Sequence, residues 1–300
     1  MPIAGETRET SVAAPDGTRL YLRTRPGAPG PTIVLCDGIA CDGFIWKYLW
    51  DDLPARSSVA HWNYRGHGRS GAPVDPDRVD VPAHVADLGA VRDALGDPDV
   101  VLVGHSFGTQ IALEAYRARP EGIRALVLIC GSFGRVTHTF RGTDLLANVL
   151  PSLIDWVEAH PRMARALWGN FPPRVALRAA MLTGDLDASR IDPADVEPYF
   201  VHAANLDFPM FLRMLRHAGE HSAQDLLASV RVPVLVVAGE RDSFTPPTLS
   251  EAMVEALPDA ELLLLPGGTH VTPLEHREVV RDRIARFLAG RGIPSPAPSA

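Results

Sequence analysis

One serine of this chain stands in a pattern that could support nucleophilic chemistry. The segment GHSFG, centred on Ser106, fits G-x-S-x-G; it follows the apolar run Val100–Val103 and opens the helical stretch Phe107–Arg119. A sharp turn from a strand into a helix would strain the serine backbone and project its hydroxyl above the sheet edge, where the glycines leave room. At the helix start, the amide of Phe107 would then point to where an oxyanion develops. In this context the pattern predicts that Ser106 is a nucleophile.

A serine hydroxyl needs a base, and the base needs a carboxylate that orients it. The chain order that suits this kind of turn is Ser, then Asp or Glu, then His. Asp242 follows the apolar run Val234–Ala238, and His270 follows the run Glu261–Leu265. Both residues therefore lie at the carboxyl ends of predicted strands, the edge where open α/β sheets place their sites. We favour Asp242 as the acid and His270 as the base.

Two neighbouring residues are alternatives for these roles. Glu240 lies closer to the strand than Asp242, although a solvated or arginine-paired surface position also explains it. His276 follows His270 by six residues, at the start of a predicted helix. Structural or surface roles are expected for His67, His84 and His105.

The composition excludes several other classes of protein. Apolar residues make up 46% of the 300 residues and charged residues 22%, which is typical of a globular chain and not of a disordered one. The net charge of −7, without a basic stripe, argues against a nucleic-acid partner. Cys36, Cys41 and Cys130 form no C-x-x-C pair, and the histidines show no metal-binding spacing. We therefore expect a small-molecule substrate, with no metal and no cofactor.

The chain shows no segment that would direct it to a membrane. The stretch Met1–Thr10 lacks the apolar region of a secretory signal, and no run of about 18 apolar residues occurs. We expect a cytoplasmic protein without a membrane span. The sequence does not indicate its oligomeric state.

Apolar runs alternate with helical stretches in the first and last thirds of the chain, which indicates an α/β sheet with crossover helices. The predicted strands are Thr7–Ala13, Thr18–Arg25, Thr32–Cys36, Val59–Trp62, Val100–Val103, Ala125–Ile129, Val234–Ala238 and Glu261–Leu265. The predicted helices include Ile45–Leu53, Val81–Leu95, Phe107–Arg119, Leu249–Leu257 and His276–Leu288.

The alternation stops in the middle of the chain. Residues 133–225 hold nine of the twenty aromatic residues and show helical periodicity, for example in Asp207–His217. An insert of this length without strands predicts a helical cap. We expect a core made of residues 1–132 and 229–289, a cap formed by residues 133–228, and a disordered tail at 290–300.

Four segments together resemble the α/β-hydrolase superfamily: GHSFG, ERDSFTP at 240–246, GGTHVTPLE at 267–275 and NYRGHGRS at 63–70. The resemblance runs in order from about Thr7 to Leu288. It implies a mostly parallel eight-stranded sheet flanked by helices, with the helical cap inserted after the sixth strand. It also implies a triad of Ser106, His270 and Asp242, and an oxyanion hole with a second donor in the loop after the strand that ends at Cys36.

That loop departs from the pattern of many members, which have His-Gly-x there. This chain has Asp37-Gly38-Ile39, so a backbone donor, Ile39, remains beside Phe107 as the second half of the oxyanion hole. Asp37 would either hold the loop in an Asx-type turn or tune the electrostatics of the site. The stretch Gly38–Leu49 is also similar to the loop of a branch that includes bacterial stress-signalling regulators and plant butenolide receptors.

The resemblance implies a serine esterase or lipase-like hydrolase that cleaves carboxylic esters through an acyl-serine intermediate. The aromatic cap favours small to medium apolar substrates. Residues expected to contact the substrate are Gly38, Trp46, His105, Phe133, Phe208, Phe211 and Val271. The same scaffold also hosts C–C bond hydrolases, lactonases and cofactor-free perhydrolases, and a slow-turnover ligand receptor is a further alternative.

Overall fold

The computed structural model describes residues 5–53, 57–170 and 172–293, and these form one eight-stranded sheet with helices around it. The strands are β1 (Arg8–Ala13), β2 (Arg19–Arg25), β3 (Thr32–Cys36), β4 (Val59–Trp62), β5 (Val100–His105), β6 (Ile123–Ile129), β7 (Val234–Gly239) and β8 (Ala260–Leu265). Their order across the sheet is β1-β2-β4-β3-β5-β6-β7-β8. The two pairings that involve β2 are antiparallel and the other five are parallel. The predicted architecture, a mostly parallel eight-stranded sheet flanked by helices, is therefore confirmed.

The helices are α1 (Lys47–Asp52), α2 (Val81–Ala94), α3 (Phe107–Ala118), α4 (Leu145–Ala159), α5 (Pro161–Gly169), α6 (Pro173–Thr183), α7 (Pro193–Asn205), α8 (Phe208–Glu220), α9 (Gln224–Leu227), α10 (Pro247–Ala256), α11 (Thr272–Glu275) and α12 (Arg277–Gly290). The helix predicted at Ile45–Leu53 begins instead as a short 3-10 helix, Phe44–Trp46, which continues into α1. Asp207 is the N-cap of α8, because its carboxylate accepts a hydrogen bond from the amide of Met210.

Apolar side chains cover both faces of the sheet, as its parallel strands require. Alternate residues of β5 enter different clusters: Leu102 packs on one face, and Val101 and Val103 pack on the other. Every residue of β5 and β7 is buried. The sheet is therefore a rigid support, and the loops at the carboxyl ends of its strands can be held in place by the core beneath them.

We call residues 133–228, which include α4 to α9, the cap segment. The described part of this segment contains no strand, only an isolated bridge between Gly134 and Ser222. A buried carboxylate links this segment to the loop and helix after β3. Asp195 of α7 accepts hydrogen bonds from Lys47 and from the hydroxyl of Tyr48, both at 2.5 Å. Because Asp195 is only 6% exposed, loss of Lys47 would leave a buried charge without its cation.

The C-terminal helix α12 ends at Gly290, and Ile293 is still buried against the core. This places Ile293, part of the predicted tail, within the fold. The rest of that predicted tail, residues 294–300, lies outside the described residues. Of the helices in the described ranges, none is both long and apolar enough to cross a membrane.

Buried histidines should make stability depend on pH. His84 lies fully buried beside Tyr64 and Phe107, and burial lowers its pKa to about 3. In the unfolded chain the pKa of this histidine would be about 6.5. Below that pH the unfolded state therefore binds a proton that the folded state does not bind. The free energy of unfolding should therefore fall as the pH decreases, by up to about 1.4 kcal/mol per pH unit from this residue.

In the variant His84→Leu, we expect this fall to be shallower by about that amount between roughly pH 6 and pH 4.5. Urea unfolding followed by circular dichroism at several pH values measures the slope. A variant with the wild-type slope would show that His84 does not resist protonation in the folded protein.

Candidate active site

The backbone of Ser106 has a left-handed conformation that few residues other than glycine adopt. The residue joins β5 to α3 with φ 54° and ψ −115°. Its amide donates to the carbonyl of Ile129 in β6 at 2.9 Å, and its carbonyl accepts from the amide of Thr109 at 3.0 Å. Its two neighbours in the chain are buried, but Ser106 is partly exposed. The turn thus presents the serine side chain at the carboxyl edge of the sheet.

Two glycines permit the close packing of this turn. A Cβ atom at Gly104 would overlap the backbone of Gly108, and a Cβ atom at Gly108 would overlap the carbonyl of Cys36 at the end of β3. Any side chain at either position would separate β5, α3 and the loop after β3. The glycines of GHSFG are therefore explained by contact between backbones, as the sequence predicted.

His270 and Asp242 meet across the ends of β7 and β8. The Nδ1 atom of His270 donates to Oδ2 of Asp242 at 2.8 Å. The amides of Phe244 and Thr245 donate to Oδ1, and the Thr245 hydroxyl donates to Oδ2, each at 2.9 Å. Burial opposes the charged form of Asp242, but the nearby His270 and these hydrogen bonds outweigh it and lower the pKa of Asp242. The bond at Nδ1 leaves Nε2 of His270 available to accept a proton.

The alternative acid and base are placed elsewhere. Glu240 is exposed, and its carboxylate accepts from the amide of Gly267 at 2.9 Å instead of contacting His270. His276 immediately precedes α12 and contributes no side chain to the cavity described below. The carboxylate that contacts the imidazole of His270 is that of Asp242.

Ser106 and His270 line the same cavity, which has a volume of about 410 Å³. Among the described residues, the Ser106 hydroxyl has no hydrogen-bond partner, so it does not bond to His270 in this state. His105 connects the two loops, because its Nε2 donates to the carbonyl of His270 at 2.8 Å. Burial, together with the neighbouring His270, lowers the pKa of His105 to about 3, so His105 stays neutral and keeps this bond.

The amides of Ile39 and Phe107 are free donors beside the serine. Both residues line the cavity, and neither amide donates to a backbone or side-chain acceptor within the described ranges. Gly38 lies so close to Ser106 that a Cβ atom on it would be 3.2 Å from the serine Cβ. Two unpaired amides at this position are what an oxyanion hole requires.

Asp37 supports this loop from below. It is fully buried, and its two carboxylate oxygens accept from the indole N–H of Trp46 at 2.6 Å and from Nε2 of His61 at 2.9 Å. Arg23 donates its Nε–H to Nδ1 of His61 at 3.0 Å, so Nδ1 is an acceptor and Nε2 carries the hydrogen that reaches Asp37. Asp37 therefore holds the loop through side chains distant in the chain and not through an Asx-type turn.

The segment NYRGHGRS also contacts the loop, a role that the sequence did not indicate. The hydroxyl of Tyr64 donates to the carbonyl of Asp37 at 2.7 Å, and the amide of Ala40 donates to Nε2 of His67 at 3.2 Å. Nδ1 of His67 donates to the carbonyl of Arg65, and burial lowers the pKa of His67 to about 4. His67 is thus a neutral acceptor for the loop backbone at ordinary pH.

Glu275 is a second residue whose role sequence reasoning missed. Its buried carboxylate accepts from the amide and the hydroxyl of Thr269, at 2.7 and 2.8 Å, immediately before His270. It also accepts from the amide of Asp187 in the cap segment at 2.9 Å. The loop that carries His270 is therefore fastened both to α11 and to the cap segment.

The cavity is lined mainly by apolar side chains, and no lysine or arginine lines it within the described ranges. Of the residues predicted to contact substrate, the cavity includes Gly38, His105, Phe211 and Val271. Cys41 also lines it, and burial raises the pKa of its thiol well above the ordinary value. Within the described ranges, no group of three or more His, Cys, Asp or Glu side chains is arranged to hold a metal ion.

Three residues predicted to contact substrate lie outside this cavity. Trp46 is fully buried in the apolar core, and its indole N–H donates to Asp37. Phe133 packs against the apolar cluster on one face of the sheet. Phe208 stacks on Trp168 with ring centroids 4.3 Å apart and lines a different cavity of the cap segment.

The buried carboxylate under the loop gives a stability prediction. In Asp37→Asn the amide cannot accept from both Trp46 and His61, and the charge that balances Arg23 is lost. We expect the free energy of unfolding to fall by about 3 kcal/mol, as when one partner of a buried polar network is removed. Chemical denaturation measures this change.

Asp42→Asn is the matched control, since Asp42 belongs to the same loop and its side chain is 31% exposed. That substitution should cost less than about 1 kcal/mol. Equal losses in the two variants would contradict the role given to Asp37.

Several named proteins are similar in sequence to most of this chain. A polyketide synthase, ThaQ, from Burkholderia thailandensis is 31% identical over 292 residues; the match covers 91% of this chain but 12% of that longer protein. A protein from Azorhizobium caulinodans named carbamate hydrolase RutD is 28% identical over 266 residues, which are 86% of this chain and 91% of that protein.

Solved structures show the same fold. The esterase EaEST from Exiguobacterium antarcticum superposes with a TM-score of 0.75 at 20% identity, covering 94% of this chain and 100% of that one. The enol-lactonase from Burkholderia xenovorans has a TM-score of 0.74 at 19% identity, covering 93% and 100%. The family model of the alpha/beta hydrolase fold matches residues 31–277. This chain therefore belongs to the α/β-hydrolase family.

Proposed function

We propose that this protein is a serine hydrolase that cleaves carboxylic esters of apolar substrates through an acyl-serine intermediate. The observation that carries the proposal is the bond from His270 Nδ1 to Asp242. It fixes the tautomer in which Nε2 is a base, within the cavity that also holds the partly exposed Ser106.

In the proposed mechanism, Ser106 Oγ attacks the ester carbonyl carbon while its proton passes to His270 Nε2. The carbonyl electrons move to oxygen, and the amides of Ile39 and Phe107 stabilise that oxyanion; one such donor lowers the barrier by roughly 3 kcal/mol. The intermediate collapses, the alcohol leaves with the proton from His270, and an acyl-serine remains. Water then attacks, gives its proton to His270, and releases the acid as the proton returns to Ser106.

The lining of the cavity favours a neutral apolar ester. Phe44, Phe140 and Phe211 are among its side chains, and the carboxylate of the lining residue Asp185 is paired with Arg141 at 2.6 Å. An anionic substrate would meet no lysine or arginine among the described lining residues. This argues against a small anion such as carbamate, although the relatives named RutD make carbamate hydrolysis the second candidate. Lactones and other substrates of the same triad remain compatible with this cavity.

The triad predicts a specific pattern of activity losses on p-nitrophenyl esters. Ser106→Ala should lower kcat by at least about a thousandfold, and Asp242→Asn by about a hundredfold to ten-thousandfold, because the imidazole loses its orienting partner. Steady-state kinetics measures both, and circular dichroism checks that each variant is folded.

Glu240→Gln is the matched control, because Glu240 lies two residues from Asp242 but is exposed, and among the described residues its carboxylate bonds only to the amide of Gly267. Its kcat should stay within about twofold of the wild type. A Ser106→Ala variant with the wild-type rate would overturn the proposal. Equal losses of kcat in Asp242→Asn and Glu240→Gln would also overturn it. Wild-type turnover above about 1 s⁻¹ on the best ester would separate this enzyme from a slow-turnover receptor.

A further inference from the structure

A second cavity lies within the cap segment, between α4, α5, α6, α7 and the start of α8. Its volume is about 540 Å³, which is in the range of small-molecule sites. Among the described residues that line it, none is charged, and most are aromatic or aliphatic. We call this space the cap groove. A site with this lining suits a hydrocarbon chain and gives a polar or charged ligand few partners.

The cap groove lies next to the candidate active site, and the two spaces share one wall. Tyr199 and Phe200 of α7 line both spaces. Phe211, which lines the catalytic cavity, stacks on Trp168, which lines the groove, with ring centroids 5.4 Å apart. A layer of aromatic side chains is therefore what separates the two spaces at this point.

Apolar ring contacts hold this wall, since Tyr199 packs on Phe44 and Phe200 with ring centroids 5.0 and 5.2 Å apart. Two features nevertheless reduce the cost of moving it. Within the described ranges the hydroxyl of Tyr199 has no hydrogen-bond partner, so rotation of its ring breaks no hydrogen bond. Pro198, the residue before it, lies inside α7 and has no N–H to donate to the helix. The backbone that carries Tyr199 and Phe200 is thus less firmly held than the rest of the helix.

The mouth of the groove is apolar surface that burial would stabilise. Leu167 is 63% exposed and Trp156 is 36% exposed, and both line the groove. Exposed apolar surface that forms a concave site is typical of ligand binding. The catalytic cavity and the groove together would hold a substrate much longer than the catalytic cavity alone.

We propose that the cap groove binds the distal aliphatic chain of the ester substrate, past Tyr199 and Phe200, and so selects esters with long hydrocarbon chains. This inference rests on the proposed ester hydrolysis at Ser106 and names the substrate class of that site. In this proposal the hydrocarbon chain of the substrate passes between side chains of α7 to reach the groove. The groove then determines the preference for chain length, which the chemistry at Ser106 does not require.

The test compares p-nitrophenyl butyrate with p-nitrophenyl dodecanoate. Ala176 of α6 and Ala203 of α7 line the groove from different helices and are half-buried, so Ala176→Phe and Ala203→Phe each fill it from one side. In both variants kcat/KM should fall at least tenfold for the dodecanoate and stay within about twofold for the butyrate. The expected size follows from a loss of about fourfold in affinity for each methylene no longer buried.

Ala179→Phe is the matched control, since Ala179 lies on the same helix as Ala176 but is exposed and lines neither space. It should leave both rates unchanged. A parallel loss on both esters, or no loss on either, in the two groove variants would overturn the proposal. So would a change of oligomeric state in Ala176→Phe with unchanged ester preference, which would assign the groove to contact between copies of the chain.

Binding without turnover separates this proposal from the proposed function. In Ser106→Ala, which should not hydrolyse esters, the neutral fluorescent probe methyl dansylaminoundecanoate should bind, and adding Ala176→Phe should raise its Kd at least tenfold. If no ester is hydrolysed but the probe still responds to Ala176→Phe, the proposed function fails and the groove stands. If butyrate is hydrolysed normally but the probe binds equally in both variants, the groove proposal fails alone.

Discussion

The left-handed backbone of Ser106 depends on the packing of four segments around one point. Such a conformation costs about 1–3 kcal/mol for a residue other than glycine, so the surrounding structure must stabilise it. β6 accepts the serine amide at Ile129, and α3 starts against the carbonyl of Cys36 because Gly108 has no side chain. The buried β5 and β6 anchor this turn. The position of the hydroxyl therefore follows from the sheet core, and the free amide of Phe107 follows from the same turn.

The loop that supplies the second amide is held by buried polar groups in addition to the apolar packing of Ile39 and Ala40. Asp37 has both carboxylate oxygens paired, His67 accepts from Ala40, and Tyr64 donates to the carbonyl of Asp37. A buried polar network with unpaired groups would destabilise the fold, whereas each polar group named here has a hydrogen-bond partner. With Asp37 in the place of the histidine of His-Gly-x, the loop still presents a free amide at Ile39, and the acidic group stays beneath the loop and outside the cavity.

The parts of the fold that the sequence predicted are those encoded by local patterns. Continuous apolar runs predicted the central strands, and the strand–glycine–helix pattern predicted the turn at Ser106. The cap segment was predicted as helical, but the direction in which its side chains point was not predicted. Phe208 and Phe211 are three residues apart on α8, yet they line different cavities. His67 could not be assigned to the loop, since its partner Ala40 is 27 residues away in the chain. Contacts of this kind depend on the packing of distant segments, which periodicity does not report.

A single side chain made nucleophilic by a remote imidazole is the central claim, and covalent labelling tests it most directly. A fluorophosphonate forms a bond from serine oxygen to phosphorus as fluoride leaves, and peptide mapping by mass spectrometry then identifies the labelled residue. The account predicts one label per chain, on Ser106, and its loss in a folded His270→Ala variant. A label on another residue, or labelling of Ser106 that persists without the imidazole, would contradict it.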